Sequence, residues 1–265
     1  MRRSVIPRAS RQSRPPRAAR PPFYFHGCSN SLRFSSLLLQ DFHYDSGMPL
    51  LERFLDLSTV SLKICGVTTR DDADRLVSLG VDALGVNFWP RSKRFLAPEN
   101  AGWLRDLAGK ILRVGVFVNE PAELPLRLVR EGYLDAVQLH GDETPEDAAP
   151  FREAGIPFIK AIGVKTRADL QRATDYGAVA ILLDAHAPGI YGGTGEVFDW
   201  EVASDFRRHH PQLPIILAGG IVPENAGLAA MSVQPAALDI ASGAEISPGI
   251  KDFQKVAAFL TALHR

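Results

Sequence analysis

The stretch VSLKICGVTTRDDADRLVSLGVDALGVNF, residues 60–88, sets the fold of this chain. It begins with a short apolar run, VSLKIC, and continues through a polar turn into RDDADRLVSLG, whose apolar residues recur with the period of a helix. A glycine closes that segment, as is common just past the end of a helix. A second apolar run, DALGVNF, follows. The stretch therefore predicts a strand–helix–strand unit with two parallel strands.

The same unit recurs along the chain to its C-terminus. Candidate strands lie at 60–65, 82–88, 112–118, 135–140, 157–162, 179–184, 214–218 and 237–241. Helical patterns include 70–80, 122–132 and 167–177, and the chain ends on an amphipathic segment at 251–265. Eight such units are typical of a single (β/α)8 TIM barrel, an α/β fold. The alternative is an open doubly wound sheet, but no G-x-G-x-x-G follows the first strand.

The segment before the first unit differs in composition. Residues 1–58 are rich in Arg, Pro and Ser without a sustained period, which predicts a disordered N-terminal extension before a barrel catalytic domain at 59–265. Residues 1–47 hold eight arginines, no lysine and two aspartates, a net charge of +6. Three interpretations stay open: an organellar targeting segment, a basic tail that binds an acidic partner, or a start codon placed upstream of a true start at Met48.

The remaining chain has a net charge of −6, which disfavours binding to nucleic acid or to an anionic membrane. No apolar run reaches the roughly 18–20 residues needed to span a bilayer. The two cysteines, Cys28 and Cys65, are too few for a disulfide framework. These features predict a cytoplasmic protein, and monomers and homodimers are both common for the predicted fold.

In barrels of this kind the chemistry lies at the C-terminal ends of the strands and in the loops that follow. Polar residues and glycines gather at those ends: Cys65-Gly66, Asn87-Phe88, Val118-Asn119, Gln138 to Gly141, Lys160, Asp184, Ala218 to Gly220, and Ala241 to Gly243. The pattern therefore predicts one functional rim.

Three glycine-rich loops follow the sixth, seventh and eighth strands. Glycines let backbone N–H groups approach a phosphate closely, and helix N-termini add partial positive charge. Loops after strands seven and eight are the usual phosphate site of this fold. Tight turns are the alternative explanation for any single loop. The predicted phosphate-binding residues are Gly192, Gly193, Gly219, Gly220, Ser242 and Gly243.

The motifs along the strands carry a family resemblance. KICGVTT, VGVFVN, QLHGDE, GGTGEVFDW, LAGGIVPEN and DIASGAEISPGIKD occur in this order between about residue 61 and residue 265. Together they resemble the phosphoribosylanthranilate isomerase family of tryptophan biosynthesis. The resemblance implies an Amadori rearrangement of N-(5-phosphoribosyl)anthranilate without cofactor or metal. One group protonates the ring oxygen of the sugar, and another removes the proton from C2.

The resemblance assigns these two catalytic roles to Cys65 and Asp184. Cys65 ends the first strand and is implied to be the general base. Because a free thiol has a pKa near ~8.5, it needs help to ionise, and Lys63 leaves the strand on the same face. Asp184 ends the sixth strand and is implied to be the general acid. The alternatives are a buried core thiol and a loop-anchoring carboxylate.

The resemblance also implies substrate contacts. Arg94 matches an arginine that faces the anthranilate carboxylate, although Ser92-Lys93-Arg94 replaces the commoner Ser-Pro-Arg, and Arg91 and Lys93 are rivals. Asp239 either orients the ribose hydroxyls or is structural, and Ala-Ser-Gly follows it in place of Ser-Ser-Gly. His140 shapes the rim or touches the substrate.

Other functions remain as alternatives. An epimerase acting on a ribulose phosphate needs metal-binding histidines at strand ends, and only His140 stands there. An indole-glycerol-phosphate synthase needs lysines and an extra N-terminal helix. A dual-substrate isomerase shared with histidine biosynthesis carries aspartate in place of Cys65, and a phosphate-binding barrel without catalysis needs neither Cys65 nor Asp184. No metal motif such as H-E-x-x-H occurs.

Overall fold

The computed structural model describes residues 49–185 and 199–263 of the chain. Eight parallel strands close into one barrel in chain order, because the first strand pairs with both the second and the eighth. They are β1 (Ser61–Cys65), β2 (Ala83–Asn87), β3 (Leu112–Phe117), β4 (Ala136–Leu139), β5 (Phe158–Val164), β6 (Ala180–Ala185), β7 (Ile215–Leu217) and β8 (Ala237–Ile240). The predicted (β/α)8 barrel is confirmed, and the open sheet is excluded.

Helices and one small hairpin surround this barrel. The helices are α1 (Leu50–Phe54), α2 (Arg70–Ser78), α3 (Glu123–Arg130), α4 (Ala149–Glu153), α5 (Trp200–His209), α6 (Pro223–Val233) and α7 (Phe253–Leu263). After β8 the short strands β9 (Glu245–Ser247) and β10 (Ile250–Lys251) pair antiparallel. The sequence analysis included Lys251 in the terminal helical segment, which is wrong, because this residue pairs in the hairpin. None of the helices in the described ranges is long and apolar enough to cross a membrane.

Helix α2 shows how local sequence fixes the end of β1. The Thr69 side chain accepts a hydrogen bond from the backbone N–H of Asp72 and so caps the helix. Ala73 and Leu76 bury the inner face of the helix, and Gly80 follows its end with φ 76°. The helix therefore starts within a few residues of Cys65, and the intervening turn lies at the rim of the barrel.

One predicted helix takes a different form. The segment 167–177 forms two 3₁₀ turns, Arg167–Leu170 and Ala173–Tyr176, instead of one α-helix. The Asp169 carboxylate accepts the N–H of Thr166 at 2.7 Å, and this closes a single tight turn. Gly177, with φ 63°, then ends the second turn. The prediction of a continuous α-helix is wrong because the backbone N–H groups of Asp169, Gln171 and Asp175 bond to the carbonyl three residues back, as in short 3₁₀ turns.

The N-terminal end of the barrel is closed by α1. Phe54 is fully buried there and packs with the residues that begin several strands. Its partners are Ala83, Leu112, Val114, Ile159, Ala180, Ile216 and Ala237. The disorder predicted up to residue 58 is wrong for Leu50–Phe54, because this turn buries an aromatic side chain against the barrel. The rest of the predicted extension, residues 1–48, lies outside the described residues.

The interior changes from apolar to polar toward the C-terminal ends of the strands. Buried polar and charged side chains gather there: Lys63, Gln138, Lys160, Asp184 and Asp239. Burying charged groups costs free energy unless they are paired and hydrogen-bonded. The location of this cluster matches the rim at which the sequence predicted a functional site.

Candidate active site

A buried ion pair occupies the centre of the polar cluster. Lys63 on β1 and Asp239 on β8 are partners in the sheet register. The Lys63 Nζ lies 2.9 Å from both carboxylate oxygens of Asp239. It also donates to the Oε1 of Gln138 at 3.1 Å. Burial lowers the pKa of Lys63, but the negative charge of Asp239 raises it and prevails, so this side chain is an ammonium ion at neutral pH.

Cys65 is a half-buried free thiol at the end of β1. Burial raises the pKa of the Cys65 thiol, whereas the positive charge of Lys63 and a hydrogen bond from it lower the pKa. The net shift is upward, so the thiol is protonated at neutral pH in the unliganded protein. Lys63 therefore does point at Cys65, and its charge opposes the effect of burial.

Gly85 on β2 makes room for this pair, and the sequence analysis gave it no role. A Cβ atom at Gly85 would lie 2.7 Å from the Cys65 Sγ and 2.9 Å from the Lys63 Nζ. Any side chain at this position would displace the thiol or the ammonium group. A glycine within a strand is a signal of close approach, but the sequence does not say which groups approach it.

Asp184 lies at the end of β6, on the same rim. Its Oδ1 accepts a hydrogen bond from the backbone N–H of Ala185 at 2.8 Å. Its Oδ2 lies 3.4 Å from the Nε2 of His140, which follows β4. A Cβ atom at Gly219 would lie 3.0 Å from the Asp184 Oδ1, so the loop after β7 passes directly beside this carboxylate. The predicted acid and the predicted phosphate loop are thus neighbours.

Arg94 lies over the end of β1. A Cβ atom at Gly66 would come within 2.2 Å of the Arg94 Cδ, so the side chain needs a glycine beneath it. Arg94 donates from Nε to the Glu245 Oε1 at 2.9 Å and from Nη2 to the Oε2 at 2.7 Å. Hydrogen bonding to Glu245 raises the pKa of Arg94. The rivals Arg91 and Lys93 are exposed, and the Arg91 guanidinium lies over the Trp89 ring.

Two residues of the β9–β10 hairpin complete this side of the rim, and the sequence analysis missed both. The Lys251 Nζ donates to the Glu245 Oε1 at 2.7 Å and to the Cys65 carbonyl oxygen at 2.5 Å. Burial raises the pKa of Glu245, but hydrogen bonds from Arg94 and the charge of Lys251 lower it and prevail. The segment ISPGI between the two residues is a turn signal flanked by apolar residues, and it could have indicated the hairpin.

Two of the predicted phosphate loops, those that follow β7 and β8, are in contact. Gly219 and Gly220 have φ of 83° and 60°, which favours glycine. A Cβ atom at Gly243 would lie 2.1 Å from the Ile221 carbonyl oxygen, so the two loops touch. Helix α6 begins just after Gly220, and exposed Ser242 opens the loop after β8. Such a junction can accept an oxyanion on backbone N–H groups. Gly192 and Gly193 lie outside the described residues.

The loop that carries His140 is held by a second buried ion pair. The Lys160 Nζ donates to the Glu143 Oε2 and to the Gly141 carbonyl oxygen, each at 2.7 Å. Glu143 also accepts the N–H of Asn119 at 2.8 Å. The sequence placed Lys160 at a strand end, which is wrong because β5 continues to Val164. Its ammonium group reaches the rim from within the strand and anchors the loop.

The described residues contain no group of three or more His, Cys, Asp and Glu side chains placed to hold a metal ion. The predicted absence of a metal stays a prediction. The rim places a thiol, a carboxylate and an imidazole beside several cationic side chains. These groups suit proton transfer on an anionic ligand.

Comparison with known proteins identifies a family that this chain matches. The family model described as N-(5'-phosphoribosyl)anthranilate (PRA) isomerase matches residues 62–262. A protein of that name from Thermotoga neapolitana is 43% identical over 202 residues, 76% of this chain and 97% of the relative. One from Myxococcus xanthus is 43% identical over 211 residues, 77% of this chain and 96% of the relative.

Solved structures give the same result. The crystal structure of phosphoribosyl anthranilate isomerase from Thermotoga maritima matches with a TM-score of 0.70 and 39% identity, covering 78% of this chain and 99% of that one. A further crystal structure is of phosphoribosyl anthranilate isomerase in complex with reduced 1-(o-carboxyphenylamino)-1-deoxyribulose 5-phosphate. It has a TM-score of 0.67 and 38% identity over 78% of this chain and 99% of that one.

Proposed function

Because the chain belongs to the N-(5'-phosphoribosyl)anthranilate isomerase family, we propose that it is an aldose–ketose isomerase, an intramolecular oxidoreductase of tryptophan biosynthesis. Its reaction is the Amadori rearrangement of N-(5-phosphoribosyl)anthranilate to 1-(2-carboxyphenylamino)-1-deoxyribulose 5-phosphate. The observation that carries the proposal is the placement of Cys65 and Asp184 at one rim of the barrel, beside the paired loops of Gly219 and Gly243.

Asp184 acts as the general acid in this proposal. Its carboxyl proton passes to the furanose ring oxygen, the bond from C1 to that oxygen breaks, and the nitrogen lone pair forms a protonated Schiff base with C1. The ring oxygen leaves as the hydroxyl of C4, and Asp184 becomes a carboxylate. A hydrogen bond from the Ala185 N–H is available to that carboxylate, and the His140 Nε2 lies 3.4 Å from its other oxygen.

Cys65 acts as the general base. Its thiolate removes the proton from C2, and the electrons of that C–H bond form the C1–C2 double bond of an enolamine. The enolamine then tautomerises to the ketone. Lys63 and Lys251 lower the pKa of the Cys65 thiol against the effect of burial, and so favour the thiolate that the step requires.

The remaining predicted residues hold the substrate. Arg94 faces the anthranilate carboxylate, and its guanidinium is kept in place by Glu245. Gly219, Gly220, Ser242 and Gly243 receive the phosphate, together with Gly192 and Gly193. Asp239 is still predicted to contact the ribose hydroxyls, and His140 is still predicted to contact the substrate. Both oxygens of Asp239 are turned toward Lys63, which favours a role through that lysine.

The proposal extends to cofactors, partners, location, oligomeric state and the parts of the chain. We propose no cofactor, no metal, no nucleic-acid partner and no membrane partner, a cytoplasmic location, and a chain that works as a monomer or a homodimer. One solved relative, from Thermotoga maritima, is described as a dimeric enzyme. We also propose two parts of the chain, an N-terminal extension at residues 1–58, which includes α1, and a barrel catalytic domain at 59–265.

Replacing Glu245 with glutamine is expected to raise KM for the substrate about tenfold and to leave kcat within about twofold. The change weakens charge-assisted hydrogen bonds, worth about 1.5–3 kcal/mol, that hold Arg94 toward the substrate carboxylate. Steady-state kinetics measures both constants. The exposed Glu153→Gln serves as the matched control. An unchanged KM for Glu245→Gln would show that Arg94 does not need this partner.

The proposed function is tested with the purified full chain and synthetic N-(5-phosphoribosyl)anthranilate. Loss of the fluorescence of the anthranilate-sugar measures turnover, and NMR identifies the ketone at C2 of the product. Ribulose 5-phosphate, assayed for epimerisation, is the control substrate. Turnover of the first compound alone is the expected result. A chain that binds phosphorylated sugars but converts neither compound would refute the proposal.

A further inference from the structure

A chain of polar contacts crosses the interior of the barrel between the two proposed catalytic residues. It starts at Lys63, whose Nζ lies with the Cys65 Sγ beside Gly85, and passes to the Gln138 Oε1 at 3.1 Å. The Gln138 Nε2 lies 2.7 Å from the His140 Nδ1, and the His140 Nε2 lies 3.4 Å from the Asp184 Oδ2. The chain joins β1, β4 and β6, and Gln138 has no part in the reaction steps described above.

The direction of each bond follows from Lys63. An ammonium group can only donate hydrogen bonds, so the Gln138 side chain must turn its carbonyl oxygen toward Lys63. Its NH2 group then faces His140 and donates to Nδ1. The Nδ1 is therefore the unprotonated nitrogen of the ring, and the proton of the neutral imidazole is on Nε2. That proton faces the Asp184 carboxylate.

The surroundings favour this single arrangement. Turning the Gln138 amide over would place its NH2 group against the Lys63 ammonium and its oxygen against the His140 Nδ1. Lys63 itself is held by both oxygens of Asp239, and Gln138 is fully buried. The backbone next to His140 is fixed as well, because Lys160 binds the carbonyl oxygen of Gly141. Neither end of the Gln138–His140 contact is free to reorient.

We propose, resting on the function proposed above, that Gln138 is a positioning residue which holds His140 neutral, with its proton on Nε2, so that His140 donates to Asp184. The donation matters when Asp184 has given its proton to the ring oxygen and is a carboxylate. A hydrogen bond to a charged acceptor is stronger than one to a neutral acceptor. The contact therefore stabilises the state after proton donation more than the state before it, and this lowers the barrier.

The test compares Gln138→Glu and Gln138→Met with the full-length wild type and with Gln254→Glu, an exposed matched control. Nitrogen-15 NMR of histidine-labelled protein reports which ring nitrogen of His140 carries a proton, and a His140→Gln sample identifies the signal. We expect a proton on Nε2 and none on Nδ1 in the wild type at pH 8. A carboxylate at position 138 accepts a hydrogen bond, so the ring proton moves from Nε2 to Nδ1 in Gln138→Glu and Nε2 no longer donates to Asp184.

Kinetics supplies the second measurement. We expect kcat to fall about tenfold in Gln138→Glu and in Gln138→Met, with KM within about twofold, because the lost contact is one to a charged group. Thermal unfolding identifies a variant that fails to fold. The His140 ring signal of the other variant then tests whether Gln138 sets the position of the ring proton. A wild-type proton on Nδ1, or variants with unchanged ring signals and unchanged kcat, would overturn the inference. A wild type without turnover would refute the proposed function. The nitrogen-15 signals of His140 would still test whether Gln138 positions its proton.

Discussion

Replacing Asp184 with asparagine is expected to lower kcat by about 10²–10⁴-fold, the range that a positioned general acid contributes. The amide has nearly the shape of the carboxyl group but no acidic proton to give to the ring oxygen. Its oxygen can still accept the hydrogen bond that the Ala185 N–H gives to Oδ1 in the wild type. The substrate should therefore bind with a KM close to that of the wild type, while ring opening becomes slow.

The measurement is steady-state loss of substrate fluorescence for Asp184→Asn, with the exposed Asp71→Asn as the matched control. The control should keep the wild-type kcat. Thermal unfolding of both variants checks that the barrel is intact. A kcat for Asp184→Asn within a few-fold of the wild type would remove Asp184 from the acid role and direct attention to His140, its neighbour at 3.4 Å.

Replacing Cys65 with serine is expected to lower kcat by at least about 10²-fold. A hydroxyl group has a far higher pKa than a thiol, so it does not form the anion that removes the C2 proton. Cys28→Ser is the matched control, because it removes the other cysteine of the chain and should leave kcat unchanged. Equal losses in the two variants would argue that thiol chemistry at Cys65 has no special part.

The same residue predicts the pH dependence of the wild type. Burial raises the pKa of the Cys65 thiol above its usual value, so the thiolate fraction is small at neutral pH and grows as the pH rises. We expect kcat/KM to increase from pH 7 toward pH 9 as that fraction grows. In Cys65→Ser the increase should disappear. A wild-type profile that falls over this range would contradict the base role of the thiol.

The fold was readable from the sequence because its signals are local. Apolar runs, a capping threonine at Thr69 and a glycine at Gly80 act within a few residues, and eight repeats of such a unit have few ways to assemble. Two of the errors in the fold have local causes too. The segment 167–177 forms two short 3₁₀ turns where one helix was predicted, and α1 is too short to show a helical period.

The site was readable only in part. Residues at strand ends could be assigned to one rim because a barrel brings all those ends together. Which of them touch could not be assigned, because the contacts join distant positions. Glu245 reaches Arg94 across 151 residues, and Lys63 reaches Asp239 across 176. A buried lysine or glutamate gives no periodic signal of its own. The Glu245–Lys251 pair and the contact of Gln138 with His140 could therefore be identified only from the structure.

The most direct test of the account is the rate at which the purified full chain removes the fluorescence of N-(5-phosphoribosyl)anthranilate, compared with Cys65→Ser and Asp184→Asn under identical conditions. The account predicts turnover by the wild type and a loss of at least about 100-fold in each variant. A wild type that binds a phosphorylated sugar analogue without turnover, or variants that keep the wild-type rate, would contradict it.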